Sequence, residues 1–227
     1  MTLEEMASAA RNNIGSGLNE SADFTYSVHQ IYDELSNAWN TIIYKMSQSN
    51  QRYDMKHFTM PRYDIPLKVA DLPHEIGRAG YTGVLSAEIP KVAMLHTTPG
   101  ISFIGPPDML ESYYVYTDPK EIKSHRYSRV IKNRPFVFLD LTQKPNGQND
   151  IYVFNLQEIG LEILTMYFIA ADPVGIMTND GYVGIQEEFP APLNVQQMMI
   201  DTVVEKFIRY YRSLNPGVSP DSQTDKN

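Results

Sequence analysis

The chain of 227 residues has no cysteine. That excludes a disulfide scaffold, a thiolate metal site and a cysteine nucleophile. The five histidines, His29, His57, His74, His96 and His125, stand apart in sequence. No pair has the i, i+4 spacing of a helical zinc site. There is no Gly-x-Ser-x-Gly elbow. The glycine-rich stretch Gly77 to Gly83 lacks the Gly-Lys-Ser/Thr ending of a phosphate loop and reads as a turn. No apolar run approaches the roughly 20 residues that span a bilayer. The opening Met1-Thr2-Leu3-Glu4-Glu5 has neither a basic nor an apolar leader region. These residues lead us to expect a protein kept in a cytosol or packaged from one, with no membrane partner and no cofactor.

Positive charge is also scarce, with 19 Lys and Arg against 27 Asp and Glu. A net charge of −8 argues against a general nucleic-acid binder. The cations that exist are concentrated: Lys120, Lys123, Arg126, Arg129, Lys132 and Arg134 face only Glu121 within their own stretch. This run reads either as a solvated basic hairpin or loop, or as a contact with an acidic neighbour or DNA phosphates. Opposite charges on one molecule help identical subunits register head to tail. The pair Glu187-Glu188 offers two carboxylates, but neighbours in an extended segment point to opposite faces. It reads as a solvated acidic segment, not a catalytic dyad.

Hydrophobic periodicity sets out the rest. Thr2 and Glu5 have capping-box spacing, and Leu3, Met6, Ala7, Ala10 and Ile14 follow at helical spacing up to Gly15-Ser16-Gly17. Thr25 is placed to cap a second helix. Its Val28, Ile31, Leu35, Trp39, Ile42, Ile43 and Met46 share a stripe of roughly 120°. The short polar connection between them allows an antiparallel helical hairpin. Prolines at 61, 66, 73, 90, 99, 106 and 107 forbid long helices in the next stretch. Short strands are expected at Val84 to Glu88 and Ile101 to Ile104. Further strands are expected at Tyr113 to Tyr116, Phe136 to Leu141, Ile151 to Phe154 and Leu161 to Ala170. Asn146-Gly147 marks a hairpin turn between two of them. The last helix opens after Pro192, with Asn194 read as its cap and Gln197 three residues on. Met199, Val203, Phe207, Tyr210 and Leu214 form one stripe beside Ile200, Val204, Ile208 and Tyr211. Together they span roughly 180° of helix surface.

The expected fold is therefore α+β: an N-terminal helical pair, an antiparallel β-rich middle and a long C-terminal amphipathic helix. Residues 1–50 form a helical part and 51–190 a β-rich part. Residues 191–214 form a helix packing with the N-terminal helices, and 215–227 a disordered tail. Tyrosine is abundant, at 15 residues, and suits interfaces because it buries area while keeping a polar handle. Candidate contact residues are Met199, Val203, Phe207, Tyr210 and Tyr211 on the last helix and Tyr113, Tyr114 and Tyr116 in the middle. Lys120, Lys123, Arg126, Arg129, Lys132 and Arg134 are candidates for electrostatic docking.

Three parts together resemble the head-to-tail connector, or adaptor and ring, proteins of short-tailed double-stranded DNA phages. They are the helical opening Thr2 to Ile14 with Val28 to Met46, the apolar strand Leu161 to Ala170 closing on Asp172-Pro173, and Phe189-Pro190-Ala191-Pro192-Leu193 entering a helix. The tyrosine-rich middle and the absence of cysteine are similar to the ring proteins of crAss-like phages. The resemblance implies a non-enzymatic virion protein, assembled in the host cytoplasm into a homo-oligomeric ring, dodecameric to match a portal. Its partners would be itself, the portal and tail or other ring proteins, with DNA only as passing cargo in a channel. In that setting the basic segment would meet an acidic partner, since a channel wall must let DNA slide. Two other classes stay open on the residues alone: a cellular α+β binding module, and a hydrolase with a dispersed His/Asp site.

Overall fold

A computed structural model describes residues 1–17, 26–48, 55–70, 81, 83–95, 98–108, 110–142, 144, 147–156, 162–178 and 187–214. Thr25, His74, His96, Asn146, Leu161, most of Gly77 to Gly83 and the expected tail lie outside them. The chain forms two compact units, Met1–Gln51 with Asp172–Asn227, and Arg52–Ala171. The fold is α+β, with helices in the first unit and, in the second, sheets with one short helix among the described residues. The sequence placed the end of the β part at residue 190; the compact units divide at 171 instead.

The helical unit begins with α1 (Leu3–Gly17). The Thr2–Glu5 capping box is formed: the Thr2 N–H donates to Glu5 Oε2 at 2.8 Å and the Glu5 N–H to Thr2 Oγ1 at 3.1 Å. Helix α2 (Val28–Gln48) is capped by Ser27, whose Oγ accepts from the Gln30 N–H while Gln30 Oε1 accepts from the Ser27 N–H. The predicted cap at Thr25 was therefore two residues early. Leu3, Met6, Ala10, Ile31, Leu35 and Trp39 are buried, as the stripes required, whereas Val28 at the helix start is exposed.

A short helix not expected from the sequence, α4 (Pro173–Thr178), lies in this unit and contacts α2. The long helix α5 (Leu193–Leu214) packs on both α1 and α2, most extensively on α1. Its first turn starts at Pro192, whose carbonyl accepts from the Val195 and Gln196 N–H groups at 2.9 and 3.0 Å. Asn194 is inside the helix and does not cap it. Buried Gln196 does the tethering, its amide donating to the carbonyls of Ala191 (2.7 Å) and Phe189 (3.3 Å). Prolines on either side leave that segment few backbone donors, so its carbonyls need an outside partner.

In the β unit a 3₁₀ turn, Met55–Phe58, precedes ten strands among the described residues. A three-stranded antiparallel sheet is ordered β1 (Tyr63–Pro66), β10 (Ile163–Phe168), β6 (Ile101–Gly105). A five-stranded sheet is ordered β2 (Lys68–Val69), β3 (Leu85–Pro90), β9 (Gln148–Phe154), β8 (Phe136–Asp140), β7 (Tyr114–Tyr116). Strands β4 (Met94–Leu95) and β5 (Thr98–Pro99) form a separate pair. The hairpin β8–β9 pairs Phe136 with Phe154 and Leu139 with Ile151. The middle departs from the antiparallel expectation at one place: β7 and β8 are parallel, pairing Tyr114 with Phe136 and Tyr116 with Phe138.

Parallel neighbours need a crossover connection. It is α3 (Pro119–Tyr127), which occupies the basic stretch that the sequence suggested was a hairpin or loop. Asp118 caps it by accepting from the Lys120 N–H at 2.8 Å, and Pro119 sits at its first position. Ile122 of α3 packs on one face of the sheet with Phe136, Phe138, Tyr152, Phe154 and Val84. Val137, Leu139, Ile151 and Val153, on the opposite face, are equally buried. Both faces of the central strands are thus covered, which explains their unbroken apolar runs.

Trp39 is the only tryptophan and meets Phe189 edge to face at 5.6 Å. Phe189→Ala should lower the unfolding free energy by about 3–5 kcal/mol. It should also shift Trp39 emission to the red before any denaturant is added. Urea titration followed by fluorescence tests both; an unchanged spectrum would argue that the ring contact is not formed.

Candidate functional site

The residues chosen as interface candidates divide sharply by exposure. Met199 and Val203 are buried in the helical unit, and Tyr113 is buried in the β unit. These three are core residues and present no surface to a partner. The wide arc on α5 is taken up at its N-terminal half by α1 and α2, the reading in which other elements of the same chain cover it. Phe207 and Tyr211 are half-buried, with the Phe207 ring 4.2 Å from that of Tyr26. Tyr210 and Leu214 stay exposed. Tyr114 is half-exposed, and Tyr116 turns inward to place its hydroxyl 2.9 Å from His125 Nδ1.

The electrostatic candidates are brought together. Lys120, Lys123 and Arg126 lie on α3; Arg129, Lys132 and Arg134 lie in the turn that follows. All six are exposed. Arg126 stacks over the Tyr81 ring at 5.9 Å. Among the described residues no ion pair engages Lys120, Lys123, Arg129, Lys132 or Arg134. Two apolar side chains stand among these cations and were not singled out from the sequence. Tyr127 is 82% exposed and Val130 79% exposed. Exposed aromatic and apolar side chains among exposed cations are features that contact surfaces share.

The turn is held rigid from outside. Ser128 Oγ accepts from the Val130 and Ile131 N–H groups, each at 3.4 Å. Asn155, at φ 61°, reaches across with its amide and donates to the carbonyls of Lys132 and Arg134, both at 3.0 Å. Asparagine tolerates the left-handed backbone better than most residues. From beneath, the buried His125 ring lies 4.2 Å from that of Phe136. No sequence pattern flagged Asn155, because its partners are 21 and 23 residues away. The Asp118-Pro119 start signal was legible but was masked by the charge run.

The opposite end of the same sheet face is ionic. The pairs Glu88–Asp150 and Asp140–Asp150 stand directly across from one another in the register. Lys144 resolves the repulsion, its Nζ donating to Asp150 Oδ1 at 2.7 Å and Glu88 Oε1 at 2.8 Å. Those hydrogen bonds push the lysine pKa well up and hold the Glu88 carboxyl below its usual range. Lys68, Ser86, Tyr152, Lys144, Glu88 and Asp150 line an open cleft of about 550 Å³. Its three best-placed charges already satisfy each other. Among the described residues no His, Asp or Glu group of three has metal-site geometry. Likewise, no described helix is long and apolar enough to cross a membrane.

Charge is divided by unit. Residues 1–51 and 172–227 carry six Lys/Arg against fourteen Asp/Glu, a net of −8. Residues 52–171 carry thirteen of each and are neutral, with six of the thirteen cations on the α3 ridge. No protein-family model and no curated protein matches the chain.

Two measurements test how the ridge is built. Asn155→Gly keeps the left-handed backbone and removes both donors. It should cost about 1–3 kcal/mol of stability and speed amide exchange at Lys132 to Arg134; unchanged exchange would show that the clamp is dispensable. Burial pushes the His125 imidazole below its ordinary value of 6.5, outweighing the carbonyls of Ile131 and Arg134 that pull the other way. The unfolded chain then takes up this proton first as pH falls. The contribution is complete above about pH 6.5 and is lost as pH drops towards the folded value. Urea midpoints of the wild type should therefore fall between pH 7.5 and 5 more steeply than those of His125→Gln. Parallel curves would remove His125 from the account.

Proposed function

We propose that the chain is a structural virion subunit, forming a homo-oligomeric ring at a portal–tail junction. There it would extend the DNA channel and carry tail proteins. The observation that carries this reading is the α3 ridge: six exposed cations interleaved with exposed Tyr127 and Val130, on a turn clamped by Asn155. A rigid, mixed basic and aromatic surface suits docking onto an acidic protein face. The resemblance of the helical opening, the strand ending at Asp172-Pro173 and the Pro-x-Pro entry to α5 points the docking towards head-to-tail connectors.

The cleft beside Lys144 gives the binding-module alternative its one specific observation. That reading is weaker because its Lys144, Glu88 and Asp150 charges are already engaged with one another.

Quantitative mass spectrometry of density-purified particles from the source culture tests the virion reading. The chain should be present in a copy number close to that of the portal protein. Absence from intact particles would overturn it.

A further inference from the structure

The helical unit carries an acidic patch that only the fold assembles. An isolated antiparallel bridge joins Thr2 to Glu188, and the Phe189 N–H donates to the Met1 carbonyl at 3.0 Å. These bonds lay the Glu187-Glu188 segment beside the N-terminus of α1, where Glu4 and Glu5 stand. All four carboxylates are exposed. From Pro145 to Glu205 the sequence contains no Lys, Arg or His, so no cation lies near in sequence to offset Glu187 and Glu188. At the start of α5, a few residues on, Leu193 is 66% exposed. Exposed carboxylates followed along the chain by an exposed apolar side chain thus mirror the make-up of the α3 ridge with the sign reversed.

We infer that the α3 ridge of one copy docks on the acidic face of a second copy, with Lys123, Arg129 and Lys132 opposite Glu4, Glu187 and Glu188. This assignment rests on the ring-subunit reading and names the acidic partner in it. The two surfaces are different patches of one chain, so the contact is heterologous, the type from which rings are built. Its electrostatic part sets register and encounter rate and weakens with salt, and Tyr127, Val130 and Leu193 supply the desolvated area. The same ridge has the chemistry to meet duplex DNA. Two features favour a protein partner: the whole net charge of the molecule lies in the unit that bears the complementary face, and the exposed Val130 has no counterpart on a phosphate backbone.

Sedimentation velocity of the full chain at low and high salt tests the assignment. Three variants are compared with wild type. One reverses the ridge (K123E/R129E/K132E), one reverses the face (E4K/E187K/E188K), and one carries all six changes. Glu5 is left intact because it caps α1. Wild type should self-associate in a salt-sensitive way, and each three-site variant should associate at least about tenfold more weakly while keeping the wild-type circular dichroism. Mixing the two three-site variants should restore assembly, because both the negative ridge with the positive face and the reverse pairing are complementary. The six-site variant should assemble alone. The assignment is overturned by a wild type that stays monomeric at low salt, by reversed chains that associate like wild type, or by a mixture that does not recover. It is equally overturned if the ridge variant loses only binding to a duplex oligonucleotide. Failure here with the chain present in particles at portal copy number removes the docking pair and leaves the virion reading. Rescue here with the chain absent from particles does the opposite.

Discussion

Strands β7 and β8 lie side by side and run the same way, and much of the β unit follows from that one pairing. Parallel neighbours cannot be joined by a tight turn. The chain must leave the sheet at Tyr116, travel back along it and re-enter at Phe136. A helix is the compact way to cover that distance with its backbone groups paired. Asp118 and Pro119 start it at the first opportunity. Once the helix lies on the sheet, its few apolar positions must face inward. Ile122 and His125 do so, against an aromatic face led by Phe136 and Phe154, whose rings stack at 4.6 Å. After Pro119 the other side chains of α3 are forced outward, and in this sequence they are lysine, arginine, glutamate, serine and tyrosine.

The sheet face beneath α3 is a gradient, not a uniform surface. The register places aromatic pairs at one end and three carboxylates at the other. Burial stabilises the first end and a single lysine the second. Lys144 sits where unlike charge is needed most, between Asp150 and Glu88. Cations on this unit therefore play two separate roles. Lys144 is consumed by structure, as is Arg62, which pairs with Asp64. On the α3 ridge, Lys120, Lys123, Arg129, Lys132 and Arg134 are exposed and join no ion pair among the described residues.

The helices were legible because a stripe repeating every three to four residues has one interpretation. Capping at Thr2 was legible for the same reason: donor and acceptor are three residues apart. Short elements were not. Helix α4 has only Pro173–Thr178, too few residues for a period to show, and depends on Asp172, whose carboxylate accepts from both the Gly175 N–H and the Ser36 hydroxyl. Helix α3 hid behind its charges because a single isoleucine and a histidine make its buried face. At α2 and α5 the middle of each stripe is buried while Val28, Tyr210 and Leu214 at the ends are exposed, and the caps differ from those expected, since several polar residues near a helix start could each serve and only local geometry selects one.

By itself, the sequence determined the α+β class, the paths of the three long helices, the hairpin register signals around Gly147 and the clustering of cations at 120–134. These are properties of neighbours along the chain, and local spacing expresses them. Tertiary structure alone decided which apolar residues of α5 are core, that Tyr113 is buried while Tyr127 is displayed, that Asn155 holds the basic turn, and that the Glu187-Glu188 segment lies beside the start of α1. Each of those depends on segments far apart in sequence being brought within a few ångströms, and the free energy that selects such meetings comes from packing the whole unit, not from any stretch of it.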